Sequence, residues 1–300
     1  MWFRNLQLYR LPAPWPVGIE ALEEQLSSRR FTPCGSQDPE SRGWVAPVAD
    51  GPLVHNVAGQ WLICLCIEQR LLPSSVVKQE AEERAAQLEL TQGFKPGRKQ
   101  MKDLKEAVTQ ELMPRAFTRR RKVYAWIDPR DGWFAVDAAS LTRAEDVLEA
   151  LRQSLEAFPL TLLRTERSPV SAMADWLAGD EAPAGFTIDM DCELKSVTEE
   201  KAAVRYVRHS LDRDEIKAHL TEGKLPTRLA LTFDDRVSLL LTEKGEIKRL
   251  QFLDVVKEAA DGGGESAQEL FDAHFALMTG ELKRLIPAVV DALGGEQRAA

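Results

Sequence analysis

The stretch from Ser74 to Met113 constrains the fold most, because its sequence predicts two amphipathic helices inserted between strand-like segments. Gly93, Pro96 and Gly97 separate the two helices, and Pro114 ends the second one. Apolar residues recur at helical spacing in both halves, at Val77, Ala81, Ala85 and Leu88 and then at Met101, Leu104, Val108 and Leu112. The pattern predicts a helical hairpin that projects from a sheet.

Alternating or continuous apolar runs of strand length lie on both sides of this hairpin. The predicted strands cover residues 2–11, 44–45, 54–72 (a hairpin that turns at Gly59), 123–128, 132–137, 160–163, 186–192, 203–207, 228–233, 237–242 and 247–252. The predicted helices outside the hairpin cover residues 19–26, 142–158, 213–220 and 267–293. We therefore expect an α+β fold with mixed or antiparallel sheets and a protruding helical hairpin.

The order of these elements divides the chain into three expected units. They are a central α+β domain (residues 1–72, 115–168 and the C-terminal helix 267–300), a helical tip (73–114) and a second sheet-containing base domain (169–266). Residues 165–183 are rich in Pro, Ser and Ala, which predicts a linker between the central and base domains. Gly262–Gly264 is an expected flexible break before the last helix.

Charge is distributed unevenly along the chain. The net charge of −8 and the pI near 5.3 would argue against a nucleic-acid partner if they were read alone. Yet the window 95–122 holds ten basic residues and three acidic ones, whereas the window 175–200 holds eight carboxylates and only Lys195. Such segregation focuses a positive field on one surface of an acidic protein.

The basic residues form two groups in the sequence. Arg98, Lys102 and Lys105 are spaced to lie on one helix face, where a row of cations can follow a phosphate backbone. The alternative is an ordinary solvated helix face. Candidate DNA-binding residues are Lys78, Arg98, Lys99, Lys102, Lys105, Arg115, Arg119, Arg120, Arg121 and Lys122 in the first group, and Arg205, Arg208, His209, Lys224 and Arg228 in the second, near which Lys201, Lys248 and Arg249 also fall. No motif for reading base edges is present, so contact would be without sequence preference.

The sequence contains one candidate catalytic constellation. Asp189, Asp191 and Glu193 alternate, so a strand would align three carboxylates that could bind Mg²⁺ in a nuclease. The alternative is a solvated strand face whose opposite, buried face consists of Ile188, Met190, Cys192 and Leu194. There is no phosphate-binding glycine loop and no Gly-x-Ser-x-Gly elbow. We expect no enzymatic activity, no metal and no cofactor.

Composition also bears on the compartment. The longest apolar run has seven residues, from Trp61 to Ile67, whereas a membrane helix needs about 18 or more. The N-terminus lacks the layout of a signal peptide. Cys64 and Cys66 would share one strand face, but a zinc site needs a second close Cys or His pair that the sequence lacks. We therefore expect a cytoplasmic protein with reduced thiols.

Eight sequence blocks follow in order from the first residues to the last, at residues 2–6, 31–38, 43–45, 72–79, 112–117, 126–128, 277–282 and 292–296. Together these blocks resemble the RdgC family of recombination-associated proteins from proteobacteria. The resemblance implies a homodimer closed into a ring, through whose positively lined hole double-stranded DNA passes. It also implies nucleoid association and reduced access of a RecA-type recombinase to DNA.

The resemblance assigns roles to a few residues. Phe117 matches an aromatic finger that one subunit inserts into the other where the helical tips meet, although it could equally be a core aromatic that follows a helix. Arg208 and His209 fall in the region of the second dimer contact or of the nearby hole. The alternative functions are a metal-dependent nuclease and a protein-interaction regulator that acts on the recombinase directly.

Overall fold

The first of two sheets carries the helical hairpin. The computed structural model describes residues 1–179, 181–198, 202–261 and 266–297. In that part of the chain, seven antiparallel strands form the first sheet in the order β2-β4-β5-β6-β1-β7, with β3 also paired to β4. The strands are β1 (Gln7–Arg10), β2 (Glu40–Val45), β3 (His55–Val57), β4 (Gln60–Leu71), β5 (Phe117–Asp128), β6 (Trp133–Val136) and β7 (Thr161–Leu162).

The second sheet is also antiparallel and has the order β12-β11-β10-β8-β9 within the described residues. Its strands are β8 (Phe186–Ser196), β9 (Ala203–Tyr206), β10 (Lys224–Phe233), β11 (Val237–Thr242) and β12 (Ile247–Phe252). Its ladders contain irregularities, between β8 and β10 and between β11 and β12. These bulges redirect side chains at the site described below.

Helices cover both sheets and form the projecting hairpin. They are α1 (Ile19–Ser27), α2 (Ser74–Gln92), α3 (Arg98–Leu112), α4 (Leu141–Ser154), α5 (Pro169–Gly179), α6 (Arg213–Thr221), α7 (Asp254–Asp261) and α8 (Ala267–Ala292). The helices α2 and α3 pack on each other through Ala81 and Val108, and the hairpin leaves the sheet between the paired strands β4 and β5. No helix in the described ranges is long and apolar enough to span a membrane.

Two apolar cores lie on opposite faces of the first sheet. Ile63 and Val123 belong to the core that includes α1 and α4. Leu62 and Trp126 point the other way, because side chains alternate along a strand, and join a core shared with the second sheet, α5 and α8. Backbone hydrogen bonds between Leu6 and β12 tie the N-terminal segment to the second sheet. The second core therefore spans both sheets.

The α+β class, the antiparallel sheets and the helical hairpin are confirmed. The linker predicted at 165–183 is wrong in its centre, because α5 lies there and buries Met173 and Trp176 against the second sheet. The ring-shaped homodimer stays a prediction. The break at Gly262–Gly264 and the last residues of the predicted C-terminal unit, 298–300, lie outside the described residues.

Candidate nucleic-acid interface

The solvent side of the second sheet presents a group of basic side chains, which we call the cationic face. It consists of Lys195, Arg205, Arg228, Lys248 and Arg249, from β8, β9, β10 and β12. Glu193 pairs in register with Arg205 on one side and with Arg228 on the other, and cross-strand partners point to the same side of a sheet. Leu229 and Leu231 point away into the core. Strand alternation thus separates the charged face from the apolar one.

Glu193 lies at the centre of the cationic face, beneath its cations. The carboxylate is only 4% exposed and contacts the guanidinium of Arg205, Lys195 Nζ at 2.9 Å and Arg228 Nε at 4.0 Å. Thr227 Oγ1 donates a further hydrogen bond to it at 2.8 Å. Burial raises the pKa of Glu193, but the hydrogen bonds from Lys195, Thr227 and Arg205 outweigh burial and lower the pKa to about 2. Glu193 is therefore ionised at neutral pH.

Asp191 fixes a second part of the cationic face, around Arg208 and Arg249. It accepts a hydrogen bond from the backbone N–H of Arg208 at 2.8 Å and pairs with Arg249 at 2.8 Å. Arg208 and Arg249 have φ values of 52° and 49°, in the left-handed region. An extra residue in β12 accompanies this conformation at Arg249. As a result, the consecutive residues Lys248 and Arg249 both meet carboxylates of the same face.

The cations of this face stand above its carboxylates. Arg205 and Arg249 are 65% and 66% exposed in their side chains, while Glu193, Asp191 and Glu246 are recessed. The recessed carboxylates orient the cations, and the outermost layer that a ligand meets is positive. Such a layer suits a polyanion, because contact with phosphates needs exposed cations and releases their counterions.

On the helical tip, the predicted cation row is present on α3. Arg98, Lys99, Lys102 and Lys105 are all exposed. Lys102 pairs with Glu106 at 3.7 Å, and on α2 Lys78 pairs with Glu82 at 3.7 Å. Exposed pairs of this length contribute little to stability, so these side chains are available for a ligand. Arg115 is exposed in the 3-10 turn that follows α3.

The basic run 119–122 lies within β5 and is divided between two faces of the first sheet. Arg121 bonds Asp146 on α4 at 3.0 Å, which places it and Arg119 on the α4 side. Arg120 points to the other side, where it pairs with Glu68 and its guanidinium lies 5.3 Å from the centre of the Phe31 ring. Lys122 lies on the same side as Arg120, since side chains alternate along the strand. The four basic residues are therefore divided equally between the two faces and do not form one patch.

The remaining candidates of the second group differ in availability. Arg208 and His209 are exposed directly after β9, and the ring of His209 lies 6.1 Å from that of Tyr206. Lys224 is poorly accessible to a ligand, because its side chain is only 14% exposed, pairs with Glu222 and contacts His219. Lys201 lies outside the described residues.

Phe117 stands at the start of β5 with 84% of its area exposed. Arg70 fixes the chain just before it by donating hydrogen bonds to the carbonyls of Ala116 at 3.2 Å and of Pro114 at 3.4 Å. The exposed Leu71 is its cross-strand partner. The aromatic ring is therefore exposed to solvent on a backbone that Arg70 fixes by hydrogen bonds, and it is not packed in the core.

The three carboxylates considered as a nuclease site are separately engaged. Asp189 accepts a hydrogen bond from Thr232 at 2.9 Å, while Asp191 and Glu193 bind the cations described above. Met190, expected on the buried face, is exposed, where β8 has extra residues opposite β10. No group of three His, Cys, Asp or Glu residues in the described ranges is arranged to hold a metal ion.

Sequence reasoning missed Lys195 and Thr227 as members of this site. Lys195 is the single cation of an acidic segment in the sequence, which hides its role, although its spacing from Glu193 places both residues on one strand face. Thr227 carries no signal in the sequence, because its contact with Glu193 depends on the register between β8 and β10.

Comparison with known proteins gives full-length matches. The family model described as "Putative exonuclease, RdgC" matches residues 1–296. A protein from Dechloromonas aromatica (strain RCB) is 62% identical over 299 residues, which cover 99% of this chain and 98% of that protein. Proteins from Herminiimonas arsenicoxydans (50% identity, 99% of both chains) and Cupriavidus necator (49% identity, 100% of both chains) are also similar. All three relatives bear the name recombination-associated protein RdgC.

Proposed function

The chain belongs to the RdgC family, and on that premise we propose that it binds double-stranded DNA without sequence preference as a ring-shaped homodimer. Bound DNA would then be less accessible to a RecA-type recombinase, in keeping with the recombination-associated name of the relatives. The proposal places the protein on the nucleoid and requires no cofactor.

The observation that carries this proposal is the cationic face with its recessed carboxylates. Five cations from four strands stand on one side of a rigid sheet, and their spacing is set by the strands rather than by a flexible tail. A flat array of exposed cations contacts phosphates, which are common to every DNA sequence. The exposed cations of α3 would supply a second contact region on the tip.

Two exposed features support a dimer with two contacts. Phe117 is an aromatic side chain that the first sheet presents to solvent, which suits insertion into a second copy. At the other end, β9 is an edge strand that pairs only with β8 among the described residues, and exposed Val207 and Met190 lie beside it. Two contacts related by one twofold axis would close a ring.

We propose that the protein does not cut DNA, although the family model carries the word exonuclease. Glu193 is saturated by three cations and Thr227, and Asp191 is paired with Arg249, so neither carboxylate is free to bind a metal ion. Incubation of supercoiled plasmid with the protein and Mg²⁺ or Mn²⁺ tests this. Nicked or linear products that disappear in a Glu193→Gln variant would establish the nuclease alternative.

Salt dependence and topology test the DNA-binding proposal. We expect log Kd for duplex DNA to rise steeply with log salt, by about 0.9 for each phosphate contacted. A ring should also resist high-salt washing from closed circular DNA and slide from the same DNA after linearisation. A slope near zero, or equal release from both DNAs, would contradict binding and encirclement respectively.

A direct action on the recombinase is the rival regulatory mechanism. If covering the DNA is sufficient to inhibit the recombinase, the protein should slow recombinase loading in proportion to the length of DNA that it covers. Pull-down of purified recombinase in the absence of DNA should give no complex. Inhibition by a DNA-binding-deficient variant would favour the direct mechanism.

A further inference from the structure

A cleft of about 310 Å³ lies where the second sheet meets the start of α4. Four basic residues of the second sheet and its β11–β12 turn line the cleft, and the first residues of α4 face them. The basic residues are Lys195, Arg228, Lys244 and Lys248, and those of the helix start are Ser140 and Leu141. The cleft adjoins the cationic face, with which it shares three cations.

Three carboxylates also line the cleft: Glu243, which is exposed at the turn, and Glu193 and Glu246, which are recessed and already bound to cations. Glu193 is bound as described above. Glu246 pairs with Lys248 at 2.9 Å and accepts a hydrogen bond from Gln7 Nε2 at 3.1 Å. Burial raises the pKa of Glu246, but the bonds from Lys248 and Gln7 outweigh it, so the pKa lies below its ordinary value. Both groups remain ionised and hold their cations at the wall of the cleft.

Lys244 differs from the other three cations. It is exposed at the turn between β11 and β12, beside Gly245, whose φ of 75° forms the tight turn. Its side chain makes no ion pair or hydrogen bond with any residue that the structure describes. Lys244 attracts Glu246 over a longer distance, but no ion pair or hydrogen bond within the described residues holds its side chain, which can therefore turn towards an incoming anion.

The start of α4 adds to the positive character of the cleft. Ser140 precedes the helix, but its hydroxyl does not cap the helix, and the first turn contains no acidic residue. The unsatisfied N–H groups at the start of a helix carry a partial positive charge. Cations on one wall and a helix start on the other suit a compact oxyanion, whose oxygens accept hydrogen bonds from several directions.

We propose that this cleft binds one phosphate group of the DNA backbone and so fixes the position of the duplex along the cationic face. This inference rests on the proposed function. A backbone phosphate is favoured over an isolated anion because Arg205 and Arg249 continue the positive surface beyond the cleft, where the neighbouring phosphates would lie.

Lys244→Gln tests the proposal, since it removes one cation of the cleft without breaking an ion pair or hydrogen bond among the described residues. For each cleft that a duplex engages, we expect the slope of log Kd against log salt to fall by about 0.9 and affinity at 0.15 M salt to fall by about fivefold. Lys257→Gln on α7, which makes the same charge change at a residue that does not line the cleft, is the control and should leave both quantities unchanged.

The DNA used distinguishes the sources of the phosphate. Closed circular DNA has no ends, so an equal loss on circular DNA and on 5′-phosphorylated linear DNA is the expected result. A loss confined to the 5′-phosphorylated linear DNA would overturn the backbone assignment in favour of a terminal phosphate. If the unmodified protein binds DNA and Lys244→Gln matches Lys257→Gln, this inference fails while the proposed function stands. If the unmodified protein does not bind DNA, the proposed function itself fails.

Discussion

Replacing Glu193 by Gln separates the stability of the cationic face from its affinity for DNA. The substitution keeps the shape and removes the charge that holds Lys195, Arg205 and Arg228. A pKa of about 2 instead of the ordinary 4.5 corresponds to roughly 3 kcal/mol, and screening by solvent around the exposed arginines reduces this to about 2 to 3 kcal/mol. For 300 residues, the expected fall in Tm is about 3 to 5 °C.

The pH dependence of stability gives the sign of the effect. The folded-state pKa of Glu193 is lowered, so its stabilising contribution is complete above about pH 4.5 and is lost as the pH falls towards 2. The difference in free energy of unfolding between the unmodified protein and Glu193→Gln should therefore be largest at neutral pH and shrink in acid. Urea unfolding at several pH values measures it. A difference that does not change with pH would refute the ion-pair explanation.

DNA affinity should change in the opposite direction. At a separation of about 6 Å, a carboxylate repels a phosphate by about 0.7 kcal/mol in a water-like medium, so removal of this charge at such a distance should tighten binding about threefold. Glu243→Gln, at an exposed carboxylate of the adjacent turn, is the control, because it makes the same charge change without breaking buried ion pairs. It should tighten binding modestly and leave Tm unchanged. Weaker DNA binding by Glu193→Gln would refute this expectation and show that the carboxylate matters more for orienting its cations than for repelling phosphate.

Three further experiments with substituted proteins test other parts of the structure. Phe117→Ala should lower the dimer fraction in sedimentation experiments and leave unchanged the Tm measured at concentrations where the protein is monomeric, because the ring is exposed in the subunit, whereas Leu90→Ala on the helical tip should change neither quantity. Combined Arg98→Glu and Lys102→Glu substitutions should weaken binding to duplexes of different sequence by equal factors; a sequence-dependent loss in a binding titration would indicate base contacts instead. Trp176→Ala should destabilise the fold by about 3 to 5 kcal/mol, since α5 is part of the core; a loss below 1 kcal/mol in urea unfolding would restore its interpretation as a linker.

The helical hairpin was predictable because its signals are local. Helical spacing and the breakers around Gly93 determine α2 and α3 without reference to the rest of the chain. The helix α5 was not predictable in the same way. Its segment begins with Pro169 and is rich in small residues, so it resembles a linker until the second sheet provides a surface against which Trp176 can pack.

The candidate site was only partly predictable for a related reason. Sequence shows that Arg205 and Arg228 are basic, but the register of β8 with β9 and β10 brings both to Glu193. Such cross-strand contacts are non-local and are altered by every bulge. The prediction of one continuous basic surface at residues 119–122 of β5 was wrong for the opposite reason: these residues are close in sequence but separated in space. Neighbours such as Arg120 and Arg121 lie on opposite faces of the strand.

The apolar core that spans both sheets would limit where the proposed ring can open. Phe3 and Trp126 from the first sheet region share that core with Leu231 and Phe252 from the second, and the backbone of Leu6 bonds to β12. Bending the subunit between its sheets would expose this core and break those bonds together, so each subunit resists bending between its sheets. DNA would therefore enter only where two subunits touch. Loading should accordingly depend on protein concentration and on the contact at Phe117, while the stability of the isolated subunit should have little influence.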